Sequence, residues 1–163
     1  MIRVGILTAS DKGSQGLRED ASGPLISKRV AEIPGEVVYT IIVPDERAMI
    51  SAELIKMVDE MDLHLILTTG GTGMSMRDIT PEATKDILDR DLPGIPEAMR
   101  AKSLQFTDRA MLSRAVAGIR KQTLIINMPG SPKAVSECLD VIIPVLEHGI
   151  QILRGETGEC ARK

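Results

Sequence analysis

Three short apolar runs constrain this chain more than any other feature: "IRVGILTA" at 2–9, "EVVYTIIVP" at 36–44 and "LHLILTT" at 63–69. They are brief and rich in β-branched residues, and the first is almost continuously apolar, as a strand buried on both faces should be. The segments between them change period. Leu25, Ile26, Val30 and Ile33 recur at helical spacing in 21–33, and Ile50, Leu54, Ile55, Val58 and Met61 do so in 46–61. This β-α-β-α-β order with short links predicts an α/β fold of three layers, α/β/α, with a central, mostly parallel sheet and helices on both faces. Ligands of such sheets sit beyond the carboxyl ends of the strands. Three loops leave those ends, at 10–20, 44–46 and 68–80.

Further along, Thr80 is expected to cap a helix with Pro81 at its first position and Glu82 in its first turn, running to about residue 90. "DLPGIP" is a turn-rich break, 96–106 reads as a helix, and 114–127 reads as two strands joined near 120–122. Ser131 can cap and Pro132 can start a long apolar-faced helix, which Pro144 is expected to kink or split. The polar tail 154–163 is expected to fray. With 163 residues, no internal repeat and no linker-like stretch, the chain is expected to form one domain over 1–163.

Composition narrows the function classes. The net charge of −3 and the scattered basic residues give no electrostatic case for a nucleic acid or a membrane surface. Tyr39 and Phe106 are the only aromatics, too few for base-stacking platforms. Cys138 and Cys160 form neither a disulfide framework nor a zinc pattern. The chain opens directly on a strand-like run and has no apolar stretch of membrane-spanning length, so a cytoplasmic protein without a signal peptide is expected. His64, inside an apolar run, reads as a satisfied structural histidine, and His148 as a surface one.

The chemistry concentrates in "TTGGTGMSMRDITPEAT", 68–84. A dinucleotide fingerprint fails here because Met76 stands where the third glycine is needed, and a Walker A loop fails for want of its lysine. What remains is a glycine-rich loop after a buried strand. Its Thr69, Gly70, Gly71, Thr72 and Gly73 can present backbone amides and hydroxyls to an anion. An ordinary strand-to-helix connection would use the same residue types. "NMPGSPKA", 127–134, sets Gly130 and Ser131 before a helix whose free amides favour an anion. Lys133 in the first turn opposes the helix dipole, so it either meets a bound phosphate or is merely solvated. Asp11, Asp20, Asp45 and Asp78 gather at the same sheet edge. Carboxylates beside phosphates make sense where Mg²⁺ bridges them, although any one of these could be a solvated loop residue.

"TTGGTG", "RDITPEAT", "LPGIPEAMR", "LSRAVAGIRKQTLIINMPGSPKA", "TASDKGSQGLRED" and "IVPDE" together resemble the molybdopterin adenylyltransferase family of molybdenum-cofactor biosynthesis, over roughly 2–150. The resemblance implies a molybdopterin-binding-domain-like fold, usually trimeric. It implies binding of molybdopterin and Mg-ATP, adenylylation of the terminal phosphate of molybdopterin with release of pyrophosphate, and hand-over to a molybdenum insertase. Carried over residue by residue, Asp45 and Asp78 match the family's two key acids, here assigned to Mg²⁺ and to positioning of the triphosphate. Thr69 to Gly73 match its phosphate-holding loop. Gly130, Ser131, Pro132 and Lys133 match its second loop, and Ser10, Asp11 and Asp20 its polar loop after the first strand. The nucleophile is an ionised phosphate, so no strong general base is needed and no catalytic histidine is expected. The chain departs from some relatives in a short C-terminal region. Alternatives are a molybdopterin-binding protein of this family with little or no transferase activity, a nicotinamide-dependent reductase, and a trimeric scaffold.

Overall fold

The computed structural model describes residues 1–156. In chain order the elements are β1 (Ile2–Ala9), α1 (Asp11–Ser14), α2 (Ser22–Val30), β2 (Gly35–Val43), α3 (Arg47–Asp59), β3 (Leu65–Thr69), α4 (Thr80–Lys85), β4 (Arg90–Asp91), α5 (Gly94–Ser103), a 3₁₀ turn (Asp108–Leu112), β5 (Ala117–Arg120), β6 (Thr123–Met128) and α6 (Pro132–Leu153). They build one six-stranded sheet in the order β2-β1-β3-β6-β5-β4. The pairs β1·β2, β1·β3 and β3·β6 are parallel, and β5 and β4 complete that side antiparallel. The mostly parallel α/β sheet expected from the alternation is therefore present. The two-residue β4, α1 and the 3₁₀ turn are additions too short to leave a periodic signal.

Apolar side chains leave both faces of the central strands. On one face Val4, Ile6, Leu65, Leu67 and Ile126 meet α2, α5 and α6 through Ile26, Met99, Val135, Leu139 and Ile142. On the other, Leu7, Ile66 and Ile125 meet α3 and α4 through Ile50, Leu54, Met57 and Ala83. A strand covered on both faces cannot alternate apolar with polar, which is why its run is continuous. In α3 the buried stripe includes Met57, whereas Ile55 is exposed.

Three local expectations are corrected. Thr80 is not the cap of α4. Ile79 occupies that position without a side-chain bond, and Thr80 opens the helix with its hydroxyl buried. The helix also stops at Lys85, because 86–89 turn to lead into β4. Pro144 does not split α6, which runs unbroken over Pro132–Leu153. Pro144 lies on the exposed face, as does Asp140 one turn before it, so the carbonyl that loses its donor faces water. Ser131 does cap α6, accepting from the amide of Ala134 at 3.1 Å. Most of the polar tail, with Cys160, lies outside the described residues. Among those described, no helix is long and apolar enough to cross a membrane.

Candidate functional site

All four parallel strands end at one edge of the sheet, and the loops that follow them converge there. These are 10–21 after β1, 44–46 after β2, 70–79 after β3 and 129–131 after β6. Backbone-directed bonds fasten them to one another. Thr69 donates its hydroxyl to the carbonyl of Pro129 at 2.7 Å, and the Gly70 amide donates to Met128 O at 3.2 Å. Ser22 donates its hydroxyl to Gly130 O at 2.8 Å.

The glycine loop turns through two left-handed residues, Gly70 at φ 92° and Gly71 at φ 68°. A side chain at Gly70 would collide with the Ala9 carbonyl, and one at Gly71 with the Thr80 hydroxyl and the Asp45 carboxylate. The glycines thus let β3 turn sharply while its neighbours stay in contact. No group among the described residues accepts from the amides of Gly71, Thr72 or Gly73, which leaves three donors for a ligand.

Two cavities open on this edge. The larger, about 660 Å³, lies between Gly71–Met74, α5, the 107–115 segment and the start of α6. The smaller, about 540 Å³, lies between the loop after β1, Asp45, Thr69–Gly71 and Pro132. Gly71, Asp78, Gly130 and Ser131 line both. A ligand in each would meet its neighbour across that shared ridge, beside the Asp78 carboxylate.

The acids divide by what their oxygens already do. Asp20 is engaged in the fold: one oxygen accepts from the amides of Ser22 and Gly23 and the other from the Thr8 hydroxyl at 2.8 Å. Asp11 and Asp45 accept from each other's amides, at 3.0 and 2.9 Å respectively. Asp11 also takes a bidentate pair from Arg77, and that guanidinium holds its carboxyl below the usual range. Arg77 reaches Glu46 as well, at 2.7 Å, so it ties three loops together. Asp45 is different. Its Oδ1 is buried without a partner, and burial, reinforced by the charges of Asp11 and Asp78, pushes its pKa up. Asp78 accepts from the Ser75 amide at 3.0 Å and lines both cavities.

The other sequence-selected residues fall as follows. Ser10 caps α1, accepting from Gly13 N at 2.9 Å, and lines the smaller cavity. Thr72 lines the larger cavity, as Gly73 does. Lys133 is exposed and lines neither cavity. His64 accepts from the Arg3 amide, and burial lowers its pKa. His148 is exposed. Cys138 is buried in α6 at the wall of the larger cavity, with burial raising its thiol to about 11.

Asn127 and Arg114 belong to the frame of this site although no motif in the sequence singles them out. Asn127 is wholly buried and donates to the Thr68 and Thr84 hydroxyls, both at 3.0 Å, which knits β3, β6 and α4 together behind the loop. A lone Asn after "LII" was the available signal. Arg114 holds the glycine loop from outside and offered no local periodicity to notice.

Known proteins resemble this chain over most of its length. A family profile described as "Probable molybdopterin binding domain" matches residues 5–148. A molybdopterin adenylyltransferase of Helicobacter pylori (strain J99) is 47% identical over 157 residues, spanning 94% of this chain and 89% of that protein. One of Escherichia coli (strain K12) is 44% identical over 175 residues, spanning 98% and 89%. Among solved structures, the molybdopterin biosynthesis enzyme MoaB of Thermus thermophilus superposes with a TM-score of 0.90 at 50% identity, covering 95% of this chain and 98% of that one.

Proposed function

The chain belongs to the molybdopterin-binding domain family, and we propose that it is a molybdopterin adenylyltransferase whose two substrates meet at the ridge formed by Gly71, Asp78, Gly130 and Ser131. One observation carries the placement: two cavities of ligand size share these four residues at the carboxyl edge of the parallel strands.

The reaction needs little covalent participation from the protein. An ionised oxygen of the terminal phosphate of molybdopterin attacks the α-phosphorus of ATP. A new P–O bond forms, the bond from that phosphorus to the bridging oxygen breaks, and pyrophosphate leaves with the electron pair. No proton has to be removed, so positioning and charge stabilisation account for the catalysis. The amides of Gly71, Thr72 and Gly73 supply donors to phosphate oxygens. Ser131 and the first turn of α6 supply a second anion-favouring end.

The acids fit a divalent cation. The unpartnered, buried Oδ1 of Asp45 lies near Asp78, and Mg²⁺ is commonly held by one or two carboxylates with phosphate oxygens completing its shell. Among the described residues no group of three or more His, Cys, Asp or Glu side chains is arranged to hold a metal ion. Asp45 and Asp78 would hold Mg²⁺, which when bound neutralises charge on the transferring phosphate. Ser10 and Pro132 shape the smaller cavity, Asp20 and Asp11 brace the loops around it, and Lys133 in the first turn of α6 attracts anionic substrate. The same reading extends to a homotrimer, to a cytoplasmic location where ATP is available, and to hand-over of the product to a molybdenum insertase.

The test is a product assay with purified protein, molybdopterin and Mg-ATP, resolving the pterin products by chromatography and mass. Adenylylated molybdopterin and pyrophosphate in equal amounts are expected. Molybdopterin that is bound and recovered unchanged would make the chain a carrier.

A further inference from the structure

The Asp78 carboxylate sits in a loop, yet reactions of this kind tolerate little misplacement. Something must hold 72–78 in place. The loop's own bonds are few: the Ser75 amide to Asp78, the Asp78 amide to Ser75 O, and the Thr80 amide to Gly71 O. Two arginines supply the rest: Arg77, within the loop, reaches out to Asp11 and Glu46, and Arg114, in the segment before β5, reaches in to the loop's own backbone. The Arg114 backbone amide donates to Thr72 O at 2.8 Å. Its Nε donates to Gly73 O at 2.7 Å, and one terminal nitrogen donates to Asp78 O at 2.9 Å. The other terminal nitrogen pairs with Glu82 in the first turn of α4. One side chain thus grips both ends of the loop and the helix that follows.

Arg114 is itself braced. Arg100 of α5 donates to the carbonyls on either side of it, Ser113 O at 3.4 Å and Ala115 O at 2.9 Å. A line of contacts therefore runs from α5 through Arg100 and Arg114 to the backbone of Asp78. Glu82 ties the far side of the guanidinium to the first turn of α4. The planar fork matters, because its donors diverge at fixed angles towards Gly73 O, Asp78 O and Glu82. A lysine ammonium is a single point and cannot span them.

We propose that Arg114 is a positioning residue for adenylyl transfer: it fixes the Asp78 carboxylate by clamping the carbonyls of Thr72, Gly73 and Asp78, and touches no substrate itself. This rests on the adenylyltransferase reading above. The experiment compares full-length wild type with Arg114→Lys, Arg114→Ala and a control, Arg120→Ala. Arg120 pairs with Asp59 and donates to Ile87 O, away from both cavities, and its loss removes an ion pair of similar kind. Each protein is measured for kcat, for KM of ATP, for its thermal midpoint and for hydrogen exchange at the amides of 72–79.

In both Arg114 variants, exchange at 72–79 is expected to quicken more than elsewhere, and kcat to fall between about tenfold and a hundredfold. KM for ATP should stay within about threefold. The control should lose stability and keep its kcat. Unchanged kcat in Arg114→Lys overturns the proposal, whether or not exchange quickens. So does an equal loss in Arg120→Ala, since activity would then follow general stability. If the wild type forms no adenylylated product, the enzymatic reading fails by itself. Exchange then decides the clamp, and unchanged protection of 72–79 in Arg114→Lys overturns it.

Discussion

Asp45 shows what a carboxylate buried at the sheet edge costs the fold. Its Oδ2 is used by the Asp11 amide, but its Oδ1 is buried with no partner and its pKa is raised, first by burial. A carboxyl with a raised folded-state pKa supports folding at pH values below its unfolded value, near 4, and that support is lost as pH rises through the folded value. At neutral pH the ionised Asp45 is therefore a burden that the Asp11 amide and the Arg77 charge offset only in part. Asp45→Asn keeps an acceptor for the Asp11 amide and removes the charge. It should raise the thermal midpoint at pH 7 by roughly 2–4 °C, as about 1 kcal/mol does in a chain of this size. The gain should shrink as pH falls towards 4, while adenylylation is abolished. A midpoint that drops at pH 7, measured by calorimetry, would mean the buried charge is already compensated. This is the familiar trade between stability and activity at a site built for a ligand.

At the scale of elements, the β3–α4 connection is where sequence and structure agree best and also where local rules fail. Gly70 needs a left-handed backbone and stands against the Ala9 carbonyl. Gly70→Ala should cost about 1–3 kcal/mol from the backbone conformation alone, with the clash added. Denaturant unfolding should register it, and a loss below about 0.5 kcal/mol would show that the loop relaxes at little cost. The strands and the long helices were legible because burial on both faces leaves a continuous run and burial on one face leaves a 3.6 period. The edge loops were legible through their glycines. What local reading missed depends on distant contacts. Thr80 has the chemistry of a cap, but its hydroxyl is buried beside Gly71 rather than turned to its own helix amides. Pro144 breaks helices in isolation, but here the freed carbonyl faces water and the apolar stripe of Leu139, Ile142, Leu146 and Ile150 holds α6 on the sheet. Asn127 and Arg114 take their partners from residues far along the chain, which no spacing rule reports.

For the whole molecule, four parallel strands ending together place four loops within reach of one another, and the loops are bound more by side chains than by regular structure. Ser22 to Gly130, Thr69 to Pro129, Arg77 to Asp11 and Glu46, and Arg114 to the glycine loop each join segments distant in sequence. The sheet beneath is covered on both faces and gives these loops a fixed base. Two cavities share one ridge on that base, an arrangement in which the proposed transfer between two substrates would be geometrically direct. It also separates binding from chemistry. Each cavity has its own walls, whereas Asp78 stands where the two meet. The sharpest measurement is therefore made on Asp78→Asn, in one preparation, of turnover and of molybdopterin affinity together. Turnover is expected to be lower by about a hundredfold or more, with the dissociation constant for molybdopterin within about threefold of wild type. Turnover and affinity falling by the same factor would contradict this, because Asp78 would then hold substrate rather than serve the transfer.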